Sequence, residues 1–217
     1  MKCALLAMLI LSATTVHADP FGPTRDRNQV ATFAFGLDGP AHITGAYGHT
    51  LRTDVLPGPI TLGGQLRLPW SPDASDVELG LVSNLDAPIA GRWRIRPMLG
   101  LIYRRADGSL LDVDQITMDV GATAGFVAAG WHAGVTTRWD HALLTHATPD
   151  DNYRAMVPAA RDVWTAAGGG TLRLGIEGGV TLGAIDLIGR VGAFRSERLA
   201  MIPGLPVYAE LGAAFSF

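Results

Sequence analysis

The chain has 217 residues, 48% of them hydrophobic and 17% charged, with 17 basic side chains against 20 acidic ones. That length suits one domain or one mid-sized barrel, and the slight acidity gives no indication of a polyanion-binding surface, so no nucleic-acid partner is expected. Cys3 is the only cysteine, which excludes disulfides, thiolate chemistry and cysteine metal sites from any mature chain that starts beyond it.

Residues 1–18 read as a secretory signal. Lys2 supplies the positive start, Cys3 to Leu11 is apolar throughout, and Val16-His17-Ala18 places small residues where a signal peptidase reads them. So short an apolar run does not cross a bilayer as a helix, which takes roughly 20 residues. Cleavage before Asp19 leaves 199 residues, and Cys3 lies too early for a lipoprotein anchor. Lys2 is the only lysine, so the mature chain sets 16 arginines against 20 acids, a net charge of −4. Residues 19–27 form a polar lead-in, and 28–217 are expected to form a single β-barrel.

From Asn28 onward the hydrophobic period is two. Ala31, Phe33, Phe35 and Leu37 alternate with Thr32, Ala34 and Gly36, and a weaker segment follows over His42 to Arg52. Ile60, Leu62, Leu66 and Leu68 oppose Thr61, Gly63, Gln65 and Arg67; Val77, Leu79 and Leu81 oppose Glu78 and Gly80. Trp93, Ile95, Leu99, Leu101 and Tyr103 oppose Arg94, Arg96, Gly100 and Arg104. Met118 to Phe126 and Trp131 to Trp139 repeat the pattern, with Asp119 and Arg138 on their polar sides. Leu172, Leu174 and Ile176 oppose Arg173 and Glu177; Ile185, Leu187 and Val191 oppose Asp186 and Arg190. The last segment sets Val207, Ala209, Leu211, Ala213, Phe215 and Phe217 against Tyr208, Glu210, Gly212, Ala214 and Ser216.

These segments predict an all-β, antiparallel transmembrane barrel of about ten strands, with eight or twelve left open. Mean hydropathy is positive, yet no apolar run beyond the signal approaches 18 residues. A closed barrel is the remaining way to satisfy backbone groups in lipid. Pro97 is the weak point: a closed barrel has no edge strand to excuse a proline, so a bulge there, or a strand starting after it, is expected.

Alternation alone also fits a soluble barrel or sandwich. Two features favour lipid outside. Trp70, Trp93, Trp131, Trp139 and Trp164, with Tyr103, fall near segment ends, as an interfacial aromatic girdle requires. The connections also alternate between short (53–57, 86–91, 128–130, 178–183) and mostly longer (69–75, 105–115, 140–163, 195–205), the turn near Asp38 to Ala41 being the exception.

The terminal Phe217, with Phe215, Ala213, Leu211 and Ala209 at every second position before it, resembles the Gram-negative outer-membrane β-barrel superfamily. The resemblance covers the last ten or so residues. It implies an outer-membrane location, contact with lipid and lipopolysaccharide, and recognition of the Phe215–Phe217 strand by the barrel assembly machinery.

The polar series gathers Arg67, Arg94, Arg96, Arg104, Arg138, Arg173 and Arg190 with Glu78, Asp119, Glu177, Asp186 and Glu210 on the inward side. Charges inside a barrel must be paired or hydrated, so the first reading is a bracing charge network. An arginine-lined, anion-leaning pore is the alternative, inward glycine and alanine leaving room for water. Segment 140–163 holds His141, His146, Asp150 and Asp151, which raises a loop-borne hydrolase as a third reading. Asp140 and His141 are strand neighbours and point to opposite faces. No serine lies in G-x-S-x-G, and Gly168-Gly169-Gly170 lacks the lysine of a phosphate loop. No metal or cofactor is expected.

Overall fold

The computed structural model describes residues 28–37, 41–70, 76–108, 110–166, 169–196 and 207–217. The expected signal segment, the lead-in, and the connections at 71–75 and 197–206 lie outside the described residues. The elements are β1 (Gln29–Leu37), β2 (Ala41–Leu51), β3 (Ile60–Pro69), β4 (Asp76–Leu85), β5 (Ala87–Ala90), β6 (Trp93–Asp107), β7 (Leu111–Val127), β8 (Trp131–Pro149), a short helix α1 (Asp151–Met156), β9 (Val163–Ala166), β10 (Gly170–Leu182), β11 (Ile185–Ser196) and β12 (Val207–Ser216).

All pairings are antiparallel; they join elements that follow one another in the chain, apart from β4 with β6, β8 with β10, and β12 with β1, which closes the ring. Gln29 and Phe217 exchange two backbone hydrogen bonds at 3.1 and 3.0 Å at the end of that seam.

The wall has ten strands, because two of the twelve segments continue others. β5 extends β4: Asn84 faces Met98 and Ala87 faces Ile95 on β6, in one unbroken register. The interruption between them lies opposite Pro97. Arg92 accepts from Val127 on β7, so by alternation position 97 turns its nitrogen towards β4, where proline has no N–H to donate. The bulge expected on Pro97's own strand is therefore absent. β6 runs straight through it, and the break appears on the neighbouring strand. Likewise β9 extends β10, since both lie along β8, with Leu144 facing Ala166 and His141 facing Gly170.

Following the register once around the wall, from Arg92 through Val127, His132, Gly179, Ile188, Gly212, Ala34, Thr44, Arg67 and Glu78, returns to β6 at Arg104. The displacement from 92 to 104 is a shear of twelve residues. With ten strands and standard strand spacings it implies a tilt of about 40° and a wall radius of about 10 Å.

The outside of the wall is apolar and the inside is charged. Leu81, Leu211 and Leu174 are 71%, 70% and 60% exposed, while Glu78, Asp119 and Arg173 are 2%, 0% and 2% exposed. At the end of the barrel where the chain ends, called here the turn end, Val30, Val82, Met98, Ile188 and Ala214 form a small apolar plug inside.

At the opposite end, called here the rim, three strands are longer than the alternation suggested. β6, β7 and β8 have 15, 17 and 19 residues, against the 9–11 needed to cross a bilayer. The connection expected at 105–115 is thus largely strand, and the one expected at 140–163 is strand up to Pro149. Pairing continues there through polar and β-branched residues such as Asp112, Asp114, Thr145 and Thr148, without the apolar alternation that marks a wall facing lipid. A bulge at Leu143 re-phases β8 within this extension, as Ile116 faces Leu144 while Thr117 faces Ala142. α1 follows, N-capped by Asp150, whose carboxylate accepts from the Tyr153 amide at 2.7 Å.

Candidate functional site

Period-two geometry sends Arg67, Arg96, Arg138, Arg173 and Arg190 into the lumen, with Glu78, Asp119, Glu177, Asp186 and Glu210 facing the same way; all ten are buried. Arg104 is largely buried and Arg94 is 36% exposed. They form several clusters. Near the rim, Arg104 is bidentate to Asp76, its Nε donating at 2.6 Å, and also lies 3.7 Å from Glu78. Glu78 in turn lies 3.7 Å from Arg67, which contacts His42 Nδ1 at 2.9 Å.

On the other side of the lumen Arg138 forks onto Asp119 with its Nε donating at 2.6 Å. Arg173 donates to Asp140 at 2.5 Å, and the same carboxylate accepts from the Thr171 amide at 3.1 Å. Glu177 is the most connected acid. It accepts from Arg190 at 2.7 Å and from Arg96, and lies 3.5 Å from His132. Arg190 also donates to Glu210 at 2.5 Å. Towards the turn end Arg94 lies 3.3 Å from Asp86, and Asp186 accepts from Thr181.

Most of these pairs join adjacent strands, but Arg96 and Glu177 do not. They stand on β6 and β10, three strands apart around the ring. For ten strands at a radius of about 10 Å, backbones so placed are about 16 Å apart, so the pair spans the lumen. Beside Arg94, Arg96, His132 and Glu177 about 10 Å3 of space remains, room for about one water. The expectation that inward glycines leave space for water is corrected here. Gly36 lies under the ring of His42, Gly179 under that of His132 and Gly175 under the Tyr208 hydroxyl, each occupying the place a Cβ would take, while Gly192 is closed off by the Leu174 carbonyl with the Tyr208 ring just behind.

Asp76, Asp86, Asp140 and His42 also belong to this interior, beyond the charges the alternation assigns to it, as does His132, which lies on the polar side of its segment. Their parity was the available signal: Asp140 and His132 are in phase with Arg138, and Asp76 and Asp86 with Glu78.

The outer wall carries two aromatic belts. Trp93, Phe126 and Trp131 make a contiguous ring cluster at the turn end, with centroids 5.9 and 5.5 Å apart, and Tyr47 and Phe217 lie at 6.5 Å from each other. Towards the rim stand Phe35 edge-on to Trp70 at 5.5 Å, Trp139 stacked on His141 at 5.0 Å, and Tyr103. Trp93 and Tyr103 are ten residues apart on one strand, about 25 Å along the axis at this tilt, the height of a bilayer-facing apolar band. Trp164 stands apart from both belts. It stacks on His146 at 4.1 Å, seven residues past Trp139 along β8. His146 has Asp114 at 3.9 Å and Asp162 at 3.8 Å from its two ring nitrogens, and Tyr103 donates to Asp114 at 2.5 Å. His141 and His146 are thus built into separate ring stacks on the outer wall. Among the described residues no three of His, Cys, Asp and Glu are gathered to hold a metal ion.

A closed antiparallel barrel of ten tilted strands with an apolar outer wall and an ion-paired interior is the fold of outer-membrane β-barrels. The outer-membrane protease OmpT from Escherichia coli shares it, at 11% identity over 95% of this chain and 100% of that one, with a TM-score of 0.50. The β domain of the Bordetella autotransporter BrkA is 13% identical over 88% of this chain and all of its own, with a TM-score of 0.48. The transport unit of the Escherichia coli autotransporter AIDA-I is 12% identical over 100% and 98%, with a TM-score of 0.45. No protein-family model matches the chain, and no curated protein sequence does.

Proposed function

We propose that this chain is an integral protein of a bacterial outer membrane, acting without catalysis as a closed structural barrel that holds an interaction rim at the cell surface. The observation that carries this reading is the pairing of the lumen. All seven inward arginines named above have a carboxylate partner, and Arg96–Glu177 crosses the lumen. Charges so matched brace the wall and fill it, whereas ten strands fall well short of the 16–18 used by open porins. The extended β6–β7–β8 sheet, with α1 and β9, is the part that reaches beyond the belts.

Several further expectations belong to the same proposal: export by a signal cleaved after Ala18, recognition of the Phe215–Phe217 strand by the barrel assembly machinery, and a wall bathed in lipid and lipopolysaccharide. The twelve lumen charges act as a brace. Trp70, Trp93, Tyr103, Trp131 and Trp139 act as interfacial anchors.

The test has two parts. Cell fractionation should place the protein in the outer membrane, migrating differently on gels before and after boiling. In planar bilayers the folded barrel should give no conductance steps. Recovery from the soluble periplasm would sink the membrane reading, and steady anion-selective steps would replace the closed barrel with the narrow channel. The protease activity named for OmpT supplies a third reading here, centred on His141 and His146. Turnover of peptide or lipopolysaccharide that disappears when both histidines become alanine would favour it.

A further inference from the structure

We propose that Trp164, backed by His146, is a saccharide-binding platform on the outer wall beyond the rim-end aromatic belt, taking one face of a hexopyranose ring. The proposal rests on the reading above that this end of the barrel faces outward from the cell.

Height is the first argument. Trp164 is level with His146, and β8 climbs seven residues from Trp139 to His146, one of them absorbed in the bulge at Leu143. At a tilt of about 40° that is about 15 Å above the belt. Headgroups add only about 5–8 Å beyond the hydrocarbon on each side, so Trp164 clears them. It is not a lipid anchor of the kind Trp139 or Trp70 provides.

Exposure is the second. Trp164 is 63% exposed although one ring face lies against His146, with an interplanar angle of 12°. The other face is open. An indole is costly to leave bare in water, and β9 has no other exposed aromatic beside it to cover it.

Rigidity and flanking chemistry are the third. The imidazole under Trp164 sits between Asp114 on β7 and Asp162, and Thr165 Oγ1 donates to the Thr145 carbonyl at 3.4 Å, fastening β9 to β8. A platform fixed in advance loses little entropy on binding. Asp162, which flanks the imidazole at 3.8 Å, forms a half-exposed pair with Arg154 at 3.0 Å, offering a carboxylate acceptor and a guanidinium donor near the stack. An apolar C–H face with hydroxyls around its rim is the chemistry of a hexopyranose, and it matches a flat aromatic bordered by charged hydrogen-bonding groups. The ring could belong to lipopolysaccharide in the same membrane or to a free glycan.

The experiment uses the full barrel refolded into phosphatidylcholine vesicles free of lipopolysaccharide. Delipidated core oligosaccharide is titrated in one arm and free maltohexaose in the other, with heat release as the readout. Saturable binding is expected in at least one arm, and the arm that binds names the source. Trp164→Ala should weaken it about tenfold, the equivalent of an aromatic stacking contribution, and Trp164→Phe should restore part of the loss. Each variant is first checked for the heat-modifiable band. Folded wild type that binds neither saccharide, or binding unchanged in Trp164→Ala, overturns the platform and leaves the closed-barrel reading standing. A fluorescence loss in acyl-chain-brominated lipids that shrinks when Trp164 becomes Ala also overturns it, by placing that ring in hydrocarbon. A barrel that never yields a heat-modifiable form counts against the closed-barrel reading instead.

Discussion

Glu177→Ala is the substitution from which this barrel should suffer most. The carboxylate is 3% exposed and serves Arg190 at 2.7 Å, Arg96 across the lumen, and His132 at 3.5 Å. At an effective dielectric of about 20, each arginine at close range contributes about 4 kcal/mol of attraction, most of which offsets the cost of bringing the charges out of water. Removing the shared acid takes one carboxylate from each of two guanidinium groups, although Arg190 keeps Glu210. The net cost expected for a broken buried pair is then about 3–5 kcal/mol. Arg96→Ala should cost less, since Glu177 keeps Arg190 and His132, and Arg190→Ala should fall between because Glu210 also loses a partner. Urea unfolding of the vesicle-embedded barrel, followed by tryptophan fluorescence, measures all three. The same Glu177→Ala protein should acquire conductance in planar bilayers, because the Arg96–Glu177 contact across the lumen is then lost. Equal losses for Glu177→Ala and Arg96→Ala, or losses near zero for both, would refute the idea that this acid is the hub of the network.

Three other outcomes follow from the wall. Leu81→Arg places a charge on the lipid side at mid-height and should cost about 2–4 kcal/mol of folding free energy in vesicles, whereas Val55→Arg, on the turn-end connection and 91% exposed, should change the same measurement little. Gly36→Ala should destabilise by about 1–3 kcal/mol through overpacking. Because the clashing atoms all belong to the His42 side chain, adding His42→Ala should recover most of that loss in the same denaturation assay. Phe217→Ala should leave the stability of refolded barrel nearly unchanged, since the side chain is 57% exposed and the Gln29 seam uses only backbone. It should instead lower the heat-modifiable fraction recovered from cell outer membranes, and a loss confined to the refolded protein would contradict the assembly-signal role.

The inside-out character of this protein was legible in the chain itself. A strand's side chains alternate strictly, so once Leu79 and Leu81 are taken as outward, Glu78 must point inward, and the same holds from Arg67 through Glu210. The ten-strand count was legible for the same reason, since each apolar stretch had to cross the same thickness. Parity, however, carries no information beyond the belts, where the outer face is no longer apolar. The strand character of 105–107 and 111–115, and of β8 up to Pro149, therefore leaves no signature in the alternation.

Pairing across the barrel was the tertiary structure's own decision. Arg96 and Glu177 are 81 residues apart; they meet because ten strands with a shear of twelve set both the radius of the wall and the relative heights of β6 and β10. The same closure moved the disturbance caused by Pro97 onto the strand beside it, laid His42, His132 and Tyr208 over inward glycines, and carried Trp164 above its supposed girdle. Alternation fixes which way each side chain faces, while register, tilt and radius determine what it finds there.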